Sequence, residues 1–480
     1  MRYAKIAWLL LGLLSTIHLP AQKDLSQLLS QKETYQTIVE KTNAYFSEKH
    51  PGTSIDQLAY GLQRDGDYVK FKRWEYFWKH QQLEDGRLGD PTAYFRQPKT
   101  TLRQSNPYEI VQWKNIGLHE NLGGQIGLGR TTGIDFHPTD PNTFYVSTAF
   151  GGIWKTEDKG KNYQNIGEDL PTLAVASVLV DKNDPNTLYA ATGDRTWFGY
   201  PSVGVYKSED SGKTWGTTAL SWQFSNGIKV YALVANPDNT KEMYLASDAG
   251  LFRTKDGFKT VNRINGFRAT DVKFKPENPS IVYFTSGGQF WRSTDGGETF
   301  SATQAISDPD IMRITVSAAN PNLVYVANGN QLYLSDNSGA SFQETKDISI
   351  LGNNGLGYVY LSPTKTNVLY GGFVSSWKSV DNGASWQQIT CFSGGAEVHV
   401  DNHFAANNPL DPGAIYFCND GGLYRFEENQ CQNCEDCFPA YEDLSTGLFI
   451  SQYYDISVSQ QNNSLISGGT QDNGSFFRSA

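Results

Sequence analysis

Beyond residue 128 the chain is written in short apolar runs of strand length, each bounded by turn residues. Residues 143–147 and 323–327 are two such runs. Pro141, Pro185 and Pro321 mark the turns that precede them, and a glycine-bearing turn leads into a second run such as 152–156. Runs of this length punctuated by Gly, Pro and Asn read as antiparallel strands. They fall into four-stranded units beginning near residues 129, 173, 227, 269, 311, 355, 396 and 453. One such sheet cannot bury both of its faces, whereas sheets stacked around an axis cover one another. The pattern predicts an all-β, multi-bladed β-propeller with at least seven to eight blade units over residues 111–480.

Residues 22–110 follow a different rhythm. Leu25, Leu28, Ile38 and Phe46 have helical spacing within 24–49, and Phe71, Trp74, Phe77 and Trp78 within 68–83. A small helical N-terminal segment is expected there. Residues 1–21 read as a signal peptide: Arg2 and Lys5, an apolar run from Ile6 to Leu14, then Ala21 before Gln22. No later apolar stretch is long enough to span a bilayer.

One turn recurs six times. A Ser or Thr is followed two residues on by Asp, then Gly, then an aromatic residue, as in Ser208, Asp210, Gly212 and Trp215. The third positions are Asp158, Asp210, Asp256, Asp295, Asn337 and Asp381, spaced 39 to 52 residues apart. A period of that size marks repeated supersecondary units. The carboxylate suits a tight turn, the glycine a positive φ, and the aromatic supplies buried area between neighbours. Six copies point to a structural role for these side chains rather than to catalysis.

The phrase resembles the Asp-box, or BNR repeat, of sialidase-type, sortilin-type and xyloglucan-hydrolase-type propellers. In the xyloglucan-hydrolase type, the resemblance places a catalytic aspartate in an Asp-x-Gly-Gly hairpin of the first blade. The matching stretch here, residues 148–152, has Ala149 in that place. The spaced arginines of sialidases are not evident. The stretch from His399 through Asp420 to Gly474 is similar to bacterial sortilin-like proteins.

The seventh unit lacks the repeated turn and carries a cysteine-bearing insertion. All five cysteines lie late: Cys391, Cys418, Cys431, Cys434 and Cys437. In an exported chain they are expected to form disulfides, with a metal site as the alternative. The eighth unit stops at Ala480 where its own copy of the turn would begin, so the propeller reads as truncated at its C-terminal end. Alternatively, residues 113–117 resemble the fourth strand of a blade and would close the ring.

Candidate chemistry gathers near the end. On a strand, His399, Asp401 and His403 would share one face, as a metal site, an acid–base set or a polar network. Asp420 and Asp472 occupy equivalent hairpins, and Asp248 matches them in an earlier unit. No organic cofactor is expected; a divalent metal is the ion these groups would seat. The net charge of −10 opposes nucleic-acid binding. The leading reading is a secreted or cell-surface binding module for a glycan or protein ligand. Two alternatives stand beside it: a glycoside hydrolase acting on polysaccharide through Asp401, Asp420 or Asp472, and a structural component of an envelope or secretion complex.

Overall fold

A computed structural model describes residues 25–29, 33–60, 65–90, 117–118, 120, 127–195, 200–306, 311–352, 357–390, 398–428, 441–461 and 465–478. The signal-peptide residues 1–21 lie outside them, as do Cys391, Cys431, Cys434 and Cys437 and the stretch 113–116. The chain divides into two compact units, Met1–Asp90 and Pro91–Ala480.

The first unit holds four helices: Leu25–Leu28, Tyr35–Lys49, Ile55–Tyr60 and Gly66–Lys79. The expected helix over 24–49 is two helices, because Thr34 caps the second by accepting from the Thr37 amide at 3.3 Å. Asp65 caps the last helix through the amides of Asp67 and Tyr68. Ile38, Phe46, Tyr68, Phe71, Trp74 and Trp78 form its core. No helix among the described residues is long and apolar enough to cross a membrane.

The described residues of the second unit form seven four-stranded antiparallel sheets and one of three strands. The blades span residues 131–165, 175–221, 230–265, 269–305, 312–347, 358–388 and 402–443. Their first strands pack in sequence order, and the first strand of blade 7 packs in turn against that of blade 1. The ring is therefore a closed seven-bladed propeller. Side chains stitch neighbouring first strands together: Asp135 accepts from the Val180 amide, Asp271 from Ile314 and Thr315 from Leu361. The eighth sheet, residues 453–478, is not a blade of this ring; most of its first strand is exposed.

Among the described residues, closure joins the two ends of the ring without a shared strand. Thr131 Oγ1 donates to the Gly422 carbonyl at 2.5 Å, and the Tyr163 hydroxyl to that of Leu444 at 2.7 Å. Phe136 and Phe144 of blade 1 pack on Tyr416 of blade 7 with ring centroids 5.0 and 5.7 Å apart.

Every blade carries a buried tyrosine on its second strand: Tyr145, Tyr189, Tyr244, Tyr283, Tyr325, Tyr370 and Tyr416. Several of these meet the recurring turn of the next blade. Within a turn, Ser208 Oγ donates to Asp210 and accepts from the Gly212 amide, while Asp210 accepts from the Thr214 amide. Hydrogen bonds from Thr214 hold the Asp210 carboxyl down to about 2. The glycine leaves room for the neighbouring blade. A Cβ on Gly297 would lie 1.8 Å from the Tyr244 hydroxyl, one on Gly383 2.7 Å from Leu332, and one on Gly212 2.6 Å from Ile166.

Blade 3 departs from this pattern, with Phe258 in the glycine's place. It keeps the left-handed backbone (φ +61°) and is buried with its ring 6.1 Å from Tyr189 of blade 2. In blade 7, which lacks the turn, buried Glu428 takes over by accepting from Tyr370 of blade 6 at 3.3 Å.

These contacts predict different costs at adjacent glycines. Gly296→Ala meets nothing within 4 Å and pays only for its positive φ of 71°, about 1 kcal/mol. Gly297→Ala adds overpacking against Tyr244, for a total of roughly 2–4 kcal/mol. Denaturant unfolding of the two variants should separate them.

Candidate functional site

Blade 7 begins its first strand at Asn402, not at His399, because Asp401 adopts a left-handed backbone with φ +62°. Alternation therefore does not run through 399–403, and His399, Asp401 and His403 do not share a strand face. The His399 Nε2 lies 3.1 Å from the Asp472 carbonyl oxygen. His403 turns elsewhere, with Nε2 2.6 Å from Asp420 Oδ1.

The carboxylates are what come together. Asp401, Asp420 and Asp472 each place an oxygen within 4.8 Å of the others. Asp420 is in the hairpin after the second strand of blade 7, and Asp472 is in the matching hairpin of the eighth sheet. Asn419 shapes the first hairpin by accepting from the amides of Gly421 and Gly422 and donating to the His399 carbonyl. Its glycines are required by close approach: a Cβ on Gly421 would lie 2.3 Å from His399, and one on Gly422 1.9 Å from Ser445. Asn473 ties the two hairpins together by donating to the Asp420 carbonyl at 3.0 Å.

Two further residues complete the electrostatics, and both escaped the sequence reading. Buried Arg130, just before blade 1, donates to Asp194 of blade 2 at 2.6 Å, and its Nε lies 3.7 Å from Asp420. No local motif announces either residue; only ring closure brings 130, 194 and 420 together.

The environments of the acids diverge. Burial raises Asp401 to about 6, reinforced by the neighbouring charges of Asp420 and Asp472. Burial also works against ionisation of Asp420, but its contact with His403 and the charge of Arg130 outweigh it and bring it to about 2. Burial lowers His403 despite Asp420. The pair is best described as a neutral imidazole donating from Nε2 to a carboxylate. The three carboxylates could seat a hard dication through oxygen, although Asp420 already has its charge balanced.

The remaining acids and cysteines fall elsewhere. Ala149 is buried and brings no acid to its hairpin. Asp248 accepts from Tyr231 at 2.7 Å and sits 3.8 Å from Arg268. Asp158, Asp210, Asp256, Asp295, Asn337 and Asp381 staple their own turns. Cys418 is a free thiol in the core between blades 7 and 1, outside any disulfide; burial pushes it to about 12.

No protein-family profile matches the chain. Five curated proteins do, and all five are xyloglucanases. An oligoxyloglucan-reducing end-specific xyloglucanase of Emericella nidulans is 32% identical over 154 residues, which is 29% of this chain and 18% of that protein. A xyloglucanase of Hypocrea jecorina is 28% identical over 34% of this chain and 20% of its own length. The matches thus span about a fifth of these relatives. Among solved structures, a GH74 enzyme of Niastella koreensis superposes with a TM-score of 0.55 at 17% identity, covering 75% of this chain and 60% of that one. A GH74 xyloglucanase of Xanthomonas campestris gives the same score and identity over 72% and 59%. At that identity the likeness speaks for the propeller fold. The curated matches overturn the expectation of a binding module and favour the hydrolase alternative.

Asp401 has a testable thermodynamic signature. Its folded-state value lies above the ordinary carboxylate value, so its contribution is full below about pH 4 and is lost as pH rises through about 6. Asp401→Asn keeps a residue type that tolerates the left-handed backbone. It should raise stability at pH 7 by on the order of 2 kcal/mol and flatten the pH dependence between 4 and 6. Thermal unfolding across that range checks both effects.

Proposed function

We propose that this protein is a glycoside hydrolase acting on polysaccharide, with xyloglucan as the first substrate to test. The observation that carries the reading is the divergence of neighbouring carboxyls: Asp401 at about 6 and Asp420 at about 2, beside exposed Asp472. Carboxyls pushed apart by their surroundings are how a site holds an acid and an anion together at one pH. The xyloglucanase relatives support the same class of substrate. The recurring turns support likeness to Asp-box propellers, sortilin-like ones included. A polysaccharide substrate accords with export through the N-terminal leader.

In this reading Asp401 protonates the glycosidic oxygen as the bond to the anomeric carbon breaks. Asp472, the exposed member of the trio, attacks that carbon from the opposite side. Asp401 then takes a proton from the water that releases the sugar. Asp420 stays buried and ionised, and burial together with its charge holds Asp401 protonated below about pH 6. Asp401 and Asp472 offer oxygens within 4.8 Å of each other, nearer the roughly 5–5.5 Å between carboxyls of a two-step course than the roughly 6.5–9.5 Å that single displacement through a water needs.

Reducing-end release from xyloglucan is the test. Asp401→Asn should lower turnover at least about 100-fold in a protein that still unfolds cooperatively. A folded wild-type protein that releases nothing across a panel of neutral and acidic polysaccharides would sink the proposal. Proton NMR of the first product should show retained anomeric configuration, and inversion would remove Asp472 from the role of nucleophile.

A further inference from the structure

A cavity of about 510 Å³ runs along the axis of the ring and is lined by residues of all seven blades. Six of its lining side chains are acidic or basic and carry charge: Asp135, Lys182, Arg195, Asp271, Lys273 and Arg313. Four of them form two ion pairs. Lys182 meets Asp135 at 2.7 Å, and Lys273 meets Asp271 at 3.0 Å. The same aspartates are further committed to the backbone amides of Val180 and Ile314. Arg195 and Arg313 are left over.

Neither guanidinium has a carboxylate within ion-pair distance among the described residues. Arg195 donates to the carbonyls of Thr132 and His403, at 3.3 and 2.6 Å, and its Nε has no partner among the described residues. Arg313 donates to the Thr270 carbonyl at 3.1 Å. Arg195 is 6% and Arg313 8% exposed. Asp194, beside Arg195 in sequence, is engaged by Arg130. Burial, and then the Arg313 charge, lowers Arg195 to about 9. Asp194 and Asp271 offset Arg195 in part, and Asp271 offsets Arg313. Even so, two buried like charges with no carboxylate at ion-pair distance are costly, and they stand out in a protein whose net charge is −10.

We propose that the axial cavity binds a small oxyanion-bearing ligand, with its carboxylate or sulfate group held between Arg195 and Arg313. A planar guanidinium offers paired N–H donors matched to such a group, and the volume accommodates a ligand of monosaccharide size. The assignment is independent of the hydrolase reading, since it uses neither Asp401 nor Asp472.

Thermal unfolding of the full chain tests it, with sodium glucuronate, sodium sulfate, sodium chloride at matched ionic strength, and glucose as probes. A ligand that binds only the folded state raises Tm with its concentration. Glucuronate or sulfate should give a saturable rise that chloride and glucose do not. A rise with glucuronate alone assigns a sugar acid, and an equal rise with sulfate assigns a free oxyanion. Arg313→Gln, which can keep a donor for the Thr270 carbonyl, should abolish the saturable rise, as should Arg195→Met. If Arg195→Met fails to fold, Arg313→Gln decides. The proposal is overturned by an equal rise in chloride, by no rise at all, or by a rise that survives Arg313→Gln.

Discussion

The ring depends on a contact that neither of its participants makes alone: bulk on one blade against missing bulk on the next. Tyr244 fills the space that Gly297 leaves, and Leu332 does the same at Gly383. A four-stranded sheet has too little depth to build a core of its own, so each blade's interior is completed by its neighbour. The aspartate of the turn, or Asn337 in blade 5, matters because it holds the loop that sets the glycine facing the adjoining blade. Blade 3 satisfies the same constraint with the sizes changed, placing Phe258 itself in the seam beside Tyr189.

The candidate site arises where that regular packing stops. Blade 7 has no recurring turn: Glu428 stands in its place against blade 6, and the hairpin after its second strand carries two crowded glycines. Asp401 and Asp472 both sit in left-handed backbone, at φ +62° and +58°, as side chains at functional turns often do. Closure then sets Arg130 beside Asp420. One acid is anchored as an anion while its neighbour is kept from ionising, by charges drawn from blades 1 and 7 and the eighth sheet.

Much of the fold was legible because its signals are local. The turn residues, the strand lengths and the repeat period all lie within about fifty residues. The number of blades in the ring was harder, since closure joins Thr131 to Gly422. A sequence signal for it did exist: seven second strands carry a tyrosine, and the eighth, Ile466–Thr470, does not. At the site, the carboxylates were picked out but their grouping with the histidines was not. Strand alternation was assumed through Asp401, whose backbone breaks it. Arg130 and Asp194 had no local signal at all. Ala149 counts against a hydrolase only in that one familiar acid is missing; it says nothing of acids supplied from another blade.

Among the described residues, each sheet of the ring is made of four consecutive strands and none borrows a strand from the far end of the chain. The seam between blades 7 and 1 is thus a clasp of side chains and a few scattered hydrogen bonds, without a continuous ladder across it. The other seams of the ring also lack a ladder; this one differs in that no short loop joins the two blades it holds together. Arg130 stands on one lip of the clasp and Asp420 on the other. The ionisation of Asp420 is therefore tied to closure itself, since the Arg130 cation reaches it only where blades 7 and 1 meet.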